Sequence, residues 1–210
     1  MRVLLLFALV GLLAFVLARW AVTRRPHWIS LTLVLLVLLP TAWFELRWRA
    51  AENAFSAVTR MLVPGAEGAA CQRMLATWTY GGLEWGHVQF DAAGRPEAVA
   101  WLSYDACRHL RDWYFSDKSA PTLDQVRAVE ILAHEAEHLR GQRSEAVAEC
   151  DALQRTEEAA TALGATPEQA RALVLTYWRV IYPRLWSEYR TGDCREDGPL
   201  DRTPGDGVWP

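Results

Sequence analysis

The chain has 210 residues, enough for one domain of ordinary size rather than two. A formal net charge of −3, with no run of Lys and Arg, excludes nucleic acid as the main partner, because phosphate binding needs concentrated positive charge. Four cysteines (Cys71, Cys107, Cys150 and Cys194) form no CxxC pair, which argues against a cysteine zinc cluster or a thioredoxin-like motif.

Two uncharged runs open the chain, VLLLFALVGLLAFVLA from Val3 to Ala18 and WISLTLVLLVLLPTAWF from Trp28 to Phe44. As helices each spans about 25 Å, and flanking Trp20, Trp28 and Trp43 extend that reach toward the roughly 30 Å hydrocarbon core of a bilayer. Residues 1–44 are therefore expected to form a transmembrane helical hairpin with the lipid bilayer as partner. Arg19, Arg24 and Arg25 in the connecting loop favour a cytoplasmic loop and a main domain outside the cytoplasm, although Arg47 and Arg49 pull the other way. The rival is a cleaved signal peptide ending at Val16–Ala18, with the second segment left as an anchor. An even number of spaced cysteines fits two disulfides in an oxidising compartment. Four buried thiols is the competing account, and three pairings are open.

Residues 45–191 carry the main domain. ELRWRAAENAFSAVTRMLV continues as an amphipathic helix, with Ala51, Ala54, Phe55, Val58 and Leu62 on one face and Pro64–Gly65 as its stop. A less regular stretch leads to Gly86. GHVQF and AVAWLS, joined by the turn-rich DAAGRPE, read as a β-hairpin. YDACRHLRDWYF reads as a short helix with Cys107 and Leu110 inward.

In APTLDQVRAVEILAHEAEHLRG, Thr122 and Gln125 form a capping-box pattern and Gly141 is a C-terminal stop. A second helix, SEAVAECDALQRTEEAATALG, has Ser144 as N-cap. A third opens at Thr166–Gln169 and runs to Pro183, where it must kink or stop. Residues 192–210 read as an extended Gly/Pro-rich tail pinned by Cys194.

His134 and His138 lie one helical turn apart, so their ring nitrogens can converge on one ion. Glu135 sits beside the first histidine, placed to take a proton from a metal-activated water. This is the HExxH arrangement of zinc peptidases. Gly141 then turns the chain, bringing Glu145 back near His138 as a third ligand and Glu149 near His134, where it can fix the ring's tautomer. Two alternatives compete. The histidines would lie on a solvated face shared with Glu130 and Glu137, and the glutamates would merely complement the helix dipole.

HExxH followed by EAVAECDA resembles the gluzincin metallopeptidases over about residues 120–160. It is most similar to minimal and membrane-bound members whose third ligand opens an E-x-x-A-(D/N)-x-x-A helix. By that resemblance Glu145 is the ligand, Ala148 and Ala152 the small packing residues, and Glu149 the outer acid. The chain departs from the pattern in having Glu at 149, not Asp or Asn, and in its short linker from His138 to Glu145. It also resembles uncharacterised actinobacterial membrane proteins with a similar HEAxHLRG…EAVAEC run and a tail ending in Trp-Pro.

The resemblance implies a zincin-like domain, mainly α, holding Zn2+ on His134, His138 and Glu145. Glu135 would be the general base, and a peptide or protein the substrate. The alternative function is a non-catalytic, zinc-stabilised envelope protein that binds a partner. His87 and His109 read as ordinary histidines. Tyr177 and Tyr182 are candidates to stabilise an oxyanion or, equally, aromatics packed beside Trp178 and Trp186. An edge of the hairpin could offer itself to an extended peptide.

Overall fold

The structure, a computed structural model, describes residues 2–72 and 85–210. It is mainly helical and forms two compact units, Met1–Ala50 and Ala51–Pro210, with the division falling inside a helix. Part of the stretch read as irregular before Gly86, residues 73–84, lies outside the described residues.

In the first unit, α1 (Arg2–Thr23) and the start of α2 (Trp28–Leu62) are long and apolar enough to cross a membrane. At 22 residues α1 is about 33 Å long. It outlasts the uncharged run because Arg19 and Trp20 continue the helix. Phe7, Val10, Phe15, Ile29, Leu33 and Leu36 are all exposed, an apolar surface suited to lipid and costly in water. Trp20 and Trp28 meet edge to face, with centroids 4.9 Å apart, across the turn between the helices.

The second unit begins with the distal part of α2, which buries Ala51, Phe55, Val58 and Leu62 at helical spacing. Three short strands follow among the described residues: β1 (Gly68–Cys71), β2 (Gly86–His87) and β3 (Val99–Leu102), in the order β1-β3-β2. The β2–β3 pair is antiparallel, with His87 opposite Trp101, so the expected hairpin is present. β1 adds to it in parallel, Ala69 opposite Ala100. α2 holds β1 in place, since Glu52 accepts from the Cys71 amide at 2.9 Å and Ser56 donates to the Ala69 carbonyl at 2.6 Å.

Four α-helices follow among the described residues: α3 (Tyr104–Tyr114), α4 (Leu123–Leu139), α5 (Glu145–Ala162) and α6 (Pro167–Thr176). α4 lies at the centre, between α3 and α5. Both capping boxes form, Thr122 with Gln125 and Thr166 with Gln169. Ser144 caps α5 by position but makes no side-chain bond, its amide donating to Gln142 instead. The last helix does not run regularly to Pro183. It widens into a π turn at Tyr177–Ile181 and closes as a 3-10 turn, Tyr182–Arg184.

Both disulfides are formed, Cys71–Cys107 from β1 to α3 and Cys150–Cys194 from α5 to the tail. They suit an oxidising compartment. Residues 192–210 hold no helix or strand and are strapped to the helices. Gln154 donates to the Leu200 carbonyl at 2.9 Å, and Arg171 donates to the main-chain oxygens of Trp209 and Pro210.

Candidate metal centre

α4 is not half solvated. Every residue from Leu132 to Leu139 is buried, and Glu130 is fully buried as well. Charged side chains seldom enter a core unless they are paired, so a helix that buries Glu130, His134, Glu135, Glu137 and His138 together is organised around them. This removes the solvated-face account of the histidines.

The two rings stand 4.7 Å apart, their Nε2 atoms separated by 3.0 Å. Gly141, at φ +96°, adopts the left-handed conformation that ends α4. Its amide donates to His138 O at 2.9 Å and the Gln142 amide to Glu137 O at 3.1 Å. Glu145 therefore returns at the first residue of α5. Its Oε2 lies 3.1 Å from His134 Nε2 and 3.3 Å from His138 Nε2, so it meets both rings and not His138 alone. Two ligands held tetrahedrally by zinc at 2.0–2.1 Å are about 3.3 Å apart, and the three donor atoms approach that spacing.

The outer nitrogens fix which atom of each ring is free. His138 Nδ1 donates to the Gln142 carbonyl at 2.6 Å. His134 Nδ1 lies 3.0 Å from Glu149 Oε2. With both Nδ1 atoms directed outward, each Nε2 can present its lone pair to a cation. Ala148 and Ala152 are fully buried, and such small residues let α5 pack closely.

The charges are mutually dependent. Burial alone would lower the pKa of His134, but its bonds to Glu145 and Glu149 outweigh this and raise it well above the ordinary value. His138 shifts upward too, burial again being overcome by Glu145. Hydrogen bonds from His134 and then His138 bring Glu145 down to about 2. A bound cation would replace the shared protons.

Sequence reasoning missed a deeper layer. The Tyr177 hydroxyl donates to Glu149 Oε1 at 2.5 Å from the residue that ends α6 and opens the π turn. Burial, then the charges of Glu130 and Glu149, raise the Tyr177 pKa well above its usual value, so it remains a phenol and a donor. It therefore reaches Glu149 and not the open side of the site. Tyr182 accepts from the Thr191 amide at 3.3 Å. Glu130, one turn before His134, has its pKa raised far above the carboxylate range by burial and then by Glu149. Its spacing from His134 was the available signal.

Glu135 is 2% exposed and packs beneath β2. A Cβ on Gly86 would stand 2.5 Å from Glu135 Oε1, so the close approach requires glycine there. The Phe90 ring lies 6.3 Å from His138 and the Tyr189 ring 6.0 Å from His134. The site opens to solvent beside Glu145, whose side chain is 39% exposed against 3% for His134. Below it, Arg155 donates to Glu137 Oε1 and to the Leu62 carbonyl, both at 3.1 Å, and Arg140 donates to the same carbonyl. The α4–α5 hairpin is thus clamped to the end of α2.

His109 stacks on Trp85 and lies 3.9 Å from Asp124, while His87 pairs within the sheet. Among the described residues, two groups of His, Cys, Asp or Glu could hold a metal ion: His134–His138–Glu145 and Glu130–His134–Glu149. The first opens to solvent and the second is closed. The chain matches no family model, and it has no similar curated protein and no similar solved structure.

Proposed function

We propose that this protein is a membrane-anchored, zinc-dependent metallopeptidase of the gluzincin type, with its zincin-like domain outside the cytoplasm. The observation that carries the reading is the convergence of His134 Nε2, His138 Nε2 and Glu145 Oε2 within 3.0–3.3 Å, one residue from Glu135. Two imidazoles and a carboxylate form the donor set of catalytic zinc sites that keep one position open. The loop arginines and the two disulfides support the orientation.

Zinc held there would supply Lewis-acid polarisation of the attacking water and of the scissile carbonyl. Glu135 would serve as the general base toward the attacking water and return the proton to the leaving amine. Glu145 would supply the negative charge of the three-ligand set that holds the cation. Glu149 holds the His134 ring, and Tyr177 holds Glu149. The Tyr189 ring lies 6.0 Å from the His134 ring, which makes Tyr189 our candidate donor to the developing oxyanion.

The test is Glu135→Gln in the full chain in detergent micelles, assayed on a peptide library. Zinc retained with turnover lost supports the peptidase. Cleavage at the wild-type rate by this variant would exclude it. Zinc bound by the wild type without any cleavage would leave a zinc-stabilised interaction protein.

A further inference from the structure

Beyond the π turn lies a cavity of about 680 Å³ lined by Trp178, Arg179, Tyr182, Ser187, Arg190 and Thr191, among others. We propose that it is a recognition subsite for a carboxylate-bearing peptide. An acidic side chain or a C-terminal carboxylate binds Arg179 and Arg190, and the neighbouring apolar side chain lies on Trp178 and Tyr182. The substrate class rests on the peptidase reading; the chemistry of the cavity does not.

Its volume falls within the range of ligand sites, and its lining has their usual composition of aromatic surface with a few polar groups. Trp178 packs at a 32° tilt against Tyr182, centroids 4.7 Å apart, and is backed edge-on by Trp209 at 5.7 Å, giving a broad aromatic wall. No carboxylate lines the cavity. Arg179 and Arg190 have no carboxylate within 4.0 Å among the described residues, whereas Arg95, Arg111 and Arg155 each do. Two unneutralised guanidinium groups at one rim are a surplus that an otherwise acidic chain leaves for an incoming anion.

The wall is also fixed in advance. Arg190 donates to the Pro183 carbonyl at 2.9 Å, which aims its fork and leaves its other donors free. Thr191 is held by the Tyr182 hydroxyl, and three residues on Cys194 is bonded to α5.

Position ties the cavity to the metal centre. Ser187 and Arg190 line it, and Tyr189 between them turns its ring toward His134 at 6.0 Å. A chain crossing Tyr189 from the metal centre arrives at the arginines.

The experiment is calorimetric titration of the full-length Glu135→Gln protein in detergent micelles with four probes. They are acetyl-Ala-Phe-Glu-amide, acetyl-Ala-Phe-Gln with a free carboxylate, acetyl-Ala-Phe-Gln-amide and acetyl-Ala-Phe-Lys-amide. At least one carboxylate probe should bind about tenfold more tightly than the neutral amide, as charge-assisted pairing implies. Whichever carboxylate probe wins identifies the source of the anion.

The preference should vanish in R179Q/R190Q and turn toward the lysine probe in R179E/R190E, a reversal that unfolding cannot produce. Equal affinity for all four probes, or a preference that survives R179Q/R190Q, would overturn the subsite. If the carboxylate preference holds but wild-type protein cleaves nothing, the subsite stands and the peptidase reading falls. If all four are cleaved with equal kcat/KM, the reverse is true.

Discussion

Replacing Tyr177 by Phe deletes one oxygen atom and keeps the ring that fills the core. That oxygen is the donor 2.5 Å from Glu149 Oε1, and both side chains are buried, 1% and 2% exposed. A hydrogen bond to a charged group contributes about 1.5–3 kcal/mol, and no water can replace it at such depth. Y177F should therefore lose about 2 kcal/mol of stability by that measure, read by denaturant unfolding of the full chain in micelles. A structural role would end there. The site geometry demands more, because Glu149 orients His134 through Nδ1. Loss of such an outer partner typically weakens metal affinity by about 10–100-fold. Competition with a chelator of known affinity should show zinc held at least tenfold less tightly, with one site retained. Wild-type zinc affinity in a destabilised Y177F protein would refute the relay from Tyr177 through Glu149 to His134.

Three further outcomes follow from the same contacts. In chelator-treated protein the raised His134 pKa stabilises the fold below 6.5 and that stability is lost as pH rises through the raised value. Glu145, lowered from 4.5 to about 2, stabilises above 4.5 and loses its effect as pH falls toward 2. Metal-free protein should thus be most stable between pH 4.5 and 6.5. Zinc-loaded protein should gain on it as pH rises, which thermal melts with and without chelator would check. Gly86→Val should displace Glu135 and cut turnover while zinc content stays at the wild-type level, and unchanged kcat would contradict the packing. C150S/C194S opens a link spanning 44 residues, so unfolding should become easier by up to about 4 kcal/mol in the chain-entropy account, measured in denaturant.

What could be read in the sequence was local. Thr122 with Gln125, Thr166 with Gln169, and Gly141 act within one helical turn, so short motifs announce them. The HExxH spacing is set by helix geometry alone, and the turn at Gly141 limits where Glu145 and Glu149 can go. What escaped depends on contacts between distant segments. β1 is four small residues, Gly-Ala-Ala-Cys, with no alternating pattern, and it forms only because β3 and α2 hold it. Glu130 and Glu137 read as a polar face because nothing local says that α4 will be covered. Glu137 is sealed by Arg155, which also reaches the Leu62 carbonyl, 93 positions away. Tyr177 was legible as an oxyanion candidate or a packed aromatic but its bond to Glu149 was not, because a regular helix was expected there and the π turn that begins at Tyr177 packs against α4.

The central claim is that His134, His138 and Glu145 hold zinc. Zinc stoichiometry of the full-length protein, purified in detergent without added chelator, tests it most directly, with H134A/H138A as the control. One zinc per chain, absent from the double variant, is the predicted result. A wild-type protein that retains its fold and binds no zinc, even after incubation with excess metal at neutral pH, would contradict the account.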